Sequence, residues 1–169
     1  MLLLGFAGGL RRSELIGLNC DDVVLVRQGI EIILRRSKTD QYGAGRKIGI
    51  PHGGGRWCPV VALEQWRAAS GITEGPMFRP IDPHHRVATK RLSGEAVCLV
   101  VRERVQAARI NPKDYSGHSL RAGLATSAAQ AGVSTWKIRQ QTGHASDAML
   151  SRYIRDGDLF LNNAAGALL

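Results

Sequence analysis

Near the C-terminal end of the chain, His118, Arg121, His144 and Tyr153 carry side chains suited to proton transfer and to holding an anion. In "GHSLRAG", His118 and Arg121 lie three apart at a helix start, so both side chains are expected on one face. An imidazole exchanges protons near neutral pH, and a guanidinium is a fixed cation with a forked set of donors. Further on, in "RQQTGHASDAMLSRYIRD", a helix ends at Gly143, His144 is presented from a tight turn, and a new helix begins near Ser146. That helix carries Tyr153 between Arg152 and Arg155. A phenol titrates at about 10 in water, and cations around it favour the phenolate. At the other end of the chain Arg11 stands at a helix junction, with Glu14 placed to orient it.

The elements that must position these groups follow from periodicity. "LLLGFAGG" reads as the last turns of a buried helix broken by Gly8 and Gly9, and "RRSELIGL" as a short second helix. Three β-branched runs, "VVLV", "IEIIL" and "RKIGI", separated by "RQG" and "TDQYGAG", predict a three-stranded antiparallel sheet. Helical spacing resumes in "CPVVALEQWRAAS", "GEAVCLVVRERVQAARI" and "HSLRAGLATSAAQAGV". In "STWKIRQQTG", Ser134 is the expected N-cap and Gly143 the residue past the end. "EGPMFRPIDPHHRVATKRLS" is a Pro-rich connection, in which His84 and His85 lack partners and read as solvated. The expected fold class is α+β, mostly helical with one small sheet.

With 169 residues, the chain is long enough for one well-formed core. Its 23 Lys and Arg against 14 Asp and Glu give a net charge of +9, which makes a polyanion, nucleic acid above all, the leading partner class. Cys20, Cys58 and Cys98 have no paired spacing, so neither a disulfide framework nor a zinc site is expected. No apolar run approaches the roughly 20 residues that span a bilayer. The charge of "MLLLGFAGGLRR" follows its apolar run instead of preceding it, unlike a signal peptide. A cytoplasmic protein with no membrane contact is expected.

Taken in order, "GGLRRSEL", "RSKTD", "HSLR", "TGH" and "RYI" resemble the motifs of the tyrosine recombinases, or phage integrase family, over nearly the whole chain. Any one motif is weak, whereas the ordered set is specific. The resemblance implies a catalytic domain over residues 1–169 that cleaves and rejoins double-stranded DNA through a 3′-phosphotyrosyl intermediate, with no metal and no cofactor. By position it makes Arg11 the first catalytic arginine and Lys38 the β-hairpin lysine that protonates the leaving 5′ oxygen. His118 and Arg121 become the "HxxR" pair, His144 the phosphate-binding residue before the last helix, and Tyr153 the nucleophile. Tyr42 and Tyr115 do not follow His144 and are not matched. In such a site guanidinium forks stabilise the charge that develops on the non-bridging oxygens, and His118 is the candidate base.

The resemblance further implies a homo-oligomer, a tetramer on synapsed DNA, in which the tail "DGDLFLNNAAGALL" docks into a neighbouring subunit. Relatives usually carry an N-terminal helical domain and a little more of the catalytic domain before Arg11, and both are expected to be missing from this chain. Two other readings stay open on sequence: a type IB topoisomerase-like strand transferase, and a non-catalytic DNA-binding remnant.

Overall fold

The computed structural model describes residues 1–35 and 45–158, except for the side chains of residues 152 and 154–158. Lys38, Tyr42, the side chains of Arg152 and Arg155, and the tail from residue 159 therefore lie outside the described residues. The helices are α1 (Leu2–Ala7), α2 (Arg12–Gly17), α3 (Pro59–Ser70), α4 (Gly94–Ala107), α5 (Ser119–Gln130), α6 (Thr135–Thr142) and α7 (Asp147–Asp158). One sheet holds β1 (Val23–Val26), β2 (Gly29–Leu34) and β3 (Arg46–Pro51) in that order. The expected α+β class and antiparallel sheet are both observed.

Register explains which face of the sheet is buried. β2 pairs antiparallel with both neighbours, placing Ile32 opposite Val23 on one side and Ile48 on the other, and Ile30 opposite Ile50. Because side chains alternate across a strand, Ile30, Ile32 and Leu34 all point to one face, and all three are buried. On β3 the same parity groups Arg46 with Ile48 and Ile50, so the arginine starts on the inward face. This sheet face, α1 to α4 and Leu10, Met77 and Phe78 form the main core.

Helix ends obey local chemistry. α3 begins with Pro59 and ends at Gly71 in the left-handed conformation, and the Ser93 hydroxyl caps α4 by accepting from the Ala96 amide. α6 starts after Ser134, whose side chain makes no capping bond, and stops at Gly143 with φ +67. A second, smaller cluster joins α5, α6 and α7 through Ala125, Ala129, Ile138 and Leu150, with Ala128 and Tyr153 packed against it.

Ile32 is fully buried at the centre of the sheet, so Ile32→Ala removes its contacts from the main core. The expected loss is about 2–5 kcal/mol, read as a lower urea midpoint at unchanged slope.

Candidate active site

The carbonyls at the end of α6 collect arginines from four parts of the chain. Arg46 of β3 donates to Gln141 O at 3.2 Å, and Arg121 of α5 donates to Thr142 O. Arg11, the residue before α2, donates to Gly143 O at 3.0 Å, and Arg139 of α6 itself donates to His144 O at 3.1 Å and Ala145 O at 2.9 Å. The last carbonyls of a helix, here those of Gln141 and Thr142, have no partner within it and carry the negative end of its dipole, and those of Gly143, His144 and Ala145 follow directly in the turn, so each guanidinium satisfies an acceptor that would otherwise need water. Gly143 is required there twice over: its φ is positive, and the Arg46 guanidinium fills the place of a β-carbon.

Arg121 is 1% exposed. The sequence reading placed it on one face with His118, without a direction for that face; it turns inward, because Gly9 O at 2.9 Å and Thr142 O accept from it. Gly9, with φ +56, has no room for a β-carbon between Leu124 and Thr142, which lets its carbonyl come this close. Burial first, then the charges of Arg11 and Arg46, push Arg121 down to about 10, still charged at neutral pH.

Arg11 is held at both ends. Its Nη1 donates to Glu14 Oε1 at 2.6 Å, and its backbone amide to Glu14 Oε2 at 2.8 Å. Glu14 is the buried carboxylate expected to orient it, and it also faces Arg46 Nη2 at 3.5 Å. Burial is the main cause that lowers the Arg46 pKa.

The remaining groups close the cleft. His118 stands at the N-cap position of α5 without a capping bond from its side chain, and its Nε2 lies 2.6 Å from Tyr153 Oη. The His144 ring sits 5.6 Å from the Tyr153 ring, with its Nδ1 2.7 Å from the Thr142 hydroxyl. Arg11, His118, Arg121, His144, Ala148, Met149 and Tyr153 together line a cleft of about 420 Å³. Arg11 and Arg121 thus supply described positive charge beside Tyr153. Five of the six expected site residues share this cleft, and Lys38 lies outside the described residues.

The surroundings of both imidazoles favour the neutral form. Burial, then Arg121 and Arg11, lowers the pKa of His118, and burial followed by the charges of Arg121, Arg11, His118 and Arg46 brings His144 to about 4. A histidine depressed on folding stabilises the native state fully above about 6.5, and that contribution is lost as pH falls through the folded value.

Sequence reading missed Arg46, Arg139, Gln141 and Thr142. Arg46 had a usable signal, since parity with Ile48 and Ile50 turns it inward. Arg139 had one in its place in the last turn of a helix. Gln141 Nε2 donates to Ala7 O at 3.0 Å and Gly49 O at 3.1 Å, contacts that no local pattern announces.

Among the described residues no group of three or more His, Cys, Asp or Glu is placed to hold a metal ion, and no helix is long and apolar enough to cross a membrane.

Comparison with known proteins agrees with this geometry. Residues 1–158 match the Phage integrase family. An integrase/recombinase xerD homolog from Selenomonas ruminantium is 41% identical over 165 residues, which are 97% of this chain and 48% of that protein. The chain therefore spans about half the length of this relative. Among solved structures, XerA recombinase superposes with a TM-score of 0.68 at 24% identity, over 98% of this chain and 52% of its own. XerH site-specific recombinase, in a post-cleavage complex with a palindromic difH substrate, gives 0.72 at 18% identity, over 98% and 44%. These likenesses establish the fold, and the match over residues 1–158 with the 41% identity establishes descent: the chain belongs to the phage integrase family, the tyrosine recombinases.

Proposed function

We propose that this chain acts as the catalytic domain of a site-specific DNA recombinase that breaks and rejoins strands through Tyr153. The observation that carries this reading is the 2.6 Å contact between Tyr153 Oη and His118 Nε2 inside a cleft lined by Arg11, Arg121 and His144. A phenol must lose its proton as it attacks, and a neutral imidazole at this distance accepts it. The lowered pKa of His118 supports that neutral form at physiological pH.

The phenolate oxygen then forms a bond to phosphorus while the bond to the 5′ oxygen breaks. Extra negative charge develops on the non-bridging oxygens, where Arg11 and Arg121 are already fixed by carbonyls and by Glu14, so little reorganisation is needed. His144 contributes a hydrogen bond to one of these oxygens. Lys38, by its motif position, gives a proton to the departing 5′ oxygen. The 3′-phosphotyrosine link conserves the energy of the broken bond, so the 5′ hydroxyl of a second strand reverses the attack and exchanges strands without ATP.

The partner is double-stranded DNA, which the net charge of +9 supports. Subunit contact through the tail after Asp158, and a tetramer on synapsed DNA, belong to the same proposal.

Two experiments test it. On nicked duplexes drawn from DNA flanking its gene, Tyr153→Phe should bind about as well as the parent and give no covalent adduct on a denaturing gel. Arg121→Ala should slow adduct formation by about 10²-fold or more, the scale of losing one oxyanion donor. An adduct from Tyr153→Phe at the parent level would mean that another residue is the nucleophile, and no adduct from the parent would favour a DNA-binding role alone. Adding EDTA should leave the adduct yield unchanged, because the arginines supply the positive charge and both oxygens of Glu14 already accept from Arg11. A metal requirement would show as loss of adduct in EDTA, restored by magnesium.

A further inference from the structure

Thr142 is fully buried in the last turn of α6, and its hydroxyl oxygen lies 2.7 Å from two groups, Ile138 O and His144 Nδ1. A hydroxyl has one proton to give and lone pairs to receive with. Ile138 O can only accept, so the proton of Thr142 goes to that carbonyl. The oxygen then offers Nδ1 only a lone pair, and the contact is a hydrogen bond only if Nδ1 carries a hydrogen. We propose that Thr142 is a positioning residue that fixes His144 as the Nδ1–H tautomer, leaving the Nε2 lone pair as the polar group of the neutral ring that remains free for the cleft.

The consequence rests on the recombinase reading. A lone pair cannot bond a phosphate oxygen, which also only accepts. His144 therefore engages phosphate after taking up a proton at Nε2, when its two N–H groups reach Thr142 Oγ1 on one side and the phosphate on the other. Among the described residues, the charged and titratable groups around His144 are Arg121 of α5, His118 just before it, Arg11 before α2, Arg46 and Lys47 of β3, Arg139 of α6 and Tyr153 of α7. The arginines oppose that proton in the empty cleft, and the charge of a bound phosphate offsets them. Phosphate binding and protonation of His144 thus become one linked event.

The tautomer is read without DNA, by ring-nitrogen NMR of the labelled chain at neutral pH. In the parent and in Thr142→Ser the hydrogen should sit on Nδ1 of His144. In Thr142→Val, which keeps the shape and loses the acceptor, it should move to Nε2. A parent spectrum with the hydrogen on Nε2 overturns the proposal, as does a Thr142→Val spectrum unchanged from the parent; if Thr142→Val fails to fold, the parent and Thr142→Ser spectra decide. The consequence is read as adduct formation against pH on the nicked duplexes. The parent should slow as pH rises past the titration of the imidazolium, and Thr142→Val should slow less; coincident profiles overturn the linkage. If the parent forms no adduct, the recombinase reading falls, while the spectra still decide what Thr142 does.

Discussion

Four successive carbonyls, from Gln141 to His144, accept hydrogen bonds from four different arginines. The pattern resolves a physical conflict. Guanidinium groups brought close enough to share one phosphate repel one another, and each loses hydration on burial. A single acid, Glu14, cannot balance Arg11, Arg46 and Arg121. A helix C-terminus can take up much of the difference, because it presents several uncompensated acceptors and the negative end of a dipole within a few ångströms. The arginines are therefore gathered more by backbone carbonyls than by acidic side chains, and much of their charge remains available to an incoming anion.

This arrangement dictates much of the surrounding fold. The turn after α1 must bring a carbonyl within reach of Arg121, which favours Gly9, and α6 must be followed by a residue without a side chain where Arg46 lies, which favours Gly143. The sheet supplies Arg46 on its inward parity, and Gln141 joins α6 to both α1 and β3. Elements distant in sequence thus meet at one point because each contributes either a cation or a carbonyl.

Much of this was legible beforehand. Apolar periodicity located the helices and the three strands, since burial of one face is a local, repeating requirement. That Arg11, His118, Arg121, His144 and Tyr153 meet in one cleft was legible for a different reason: the ordered motifs that carry them resemble those of one family, and motifs of that kind group residues by shared site and not by distance along the chain. The direction of Arg121 was not legible, because whether a helical arginine turns in or out depends on acceptors more than a hundred residues away in one case and across another helix in the other. Thr142 was hidden for the opposite reason. It is an ordinary residue in an ordinary helix turn, and only the position of one imidazole gives its hydroxyl a task.

The two cores differ in weight. Arg11, Arg46 and Arg121 are held by α6, by Glu14 and by the turn after α1, whereas Tyr153 rides on a helix whose described buried anchor is Leu150, set among alanines and Ile138. Small side chains bury little apolar area, so lifting α7 away costs far less than unfolding the molecule. Among the bonds that gather the arginines, the one made to α7 is that between Arg139 and Asp147, on the periphery. On the proposed function, grip and blade therefore sit on parts of unequal strength: the carbonyl and Glu14 partners of Arg11 and Arg121 lie outside α7, whereas the tyrosine is carried by it.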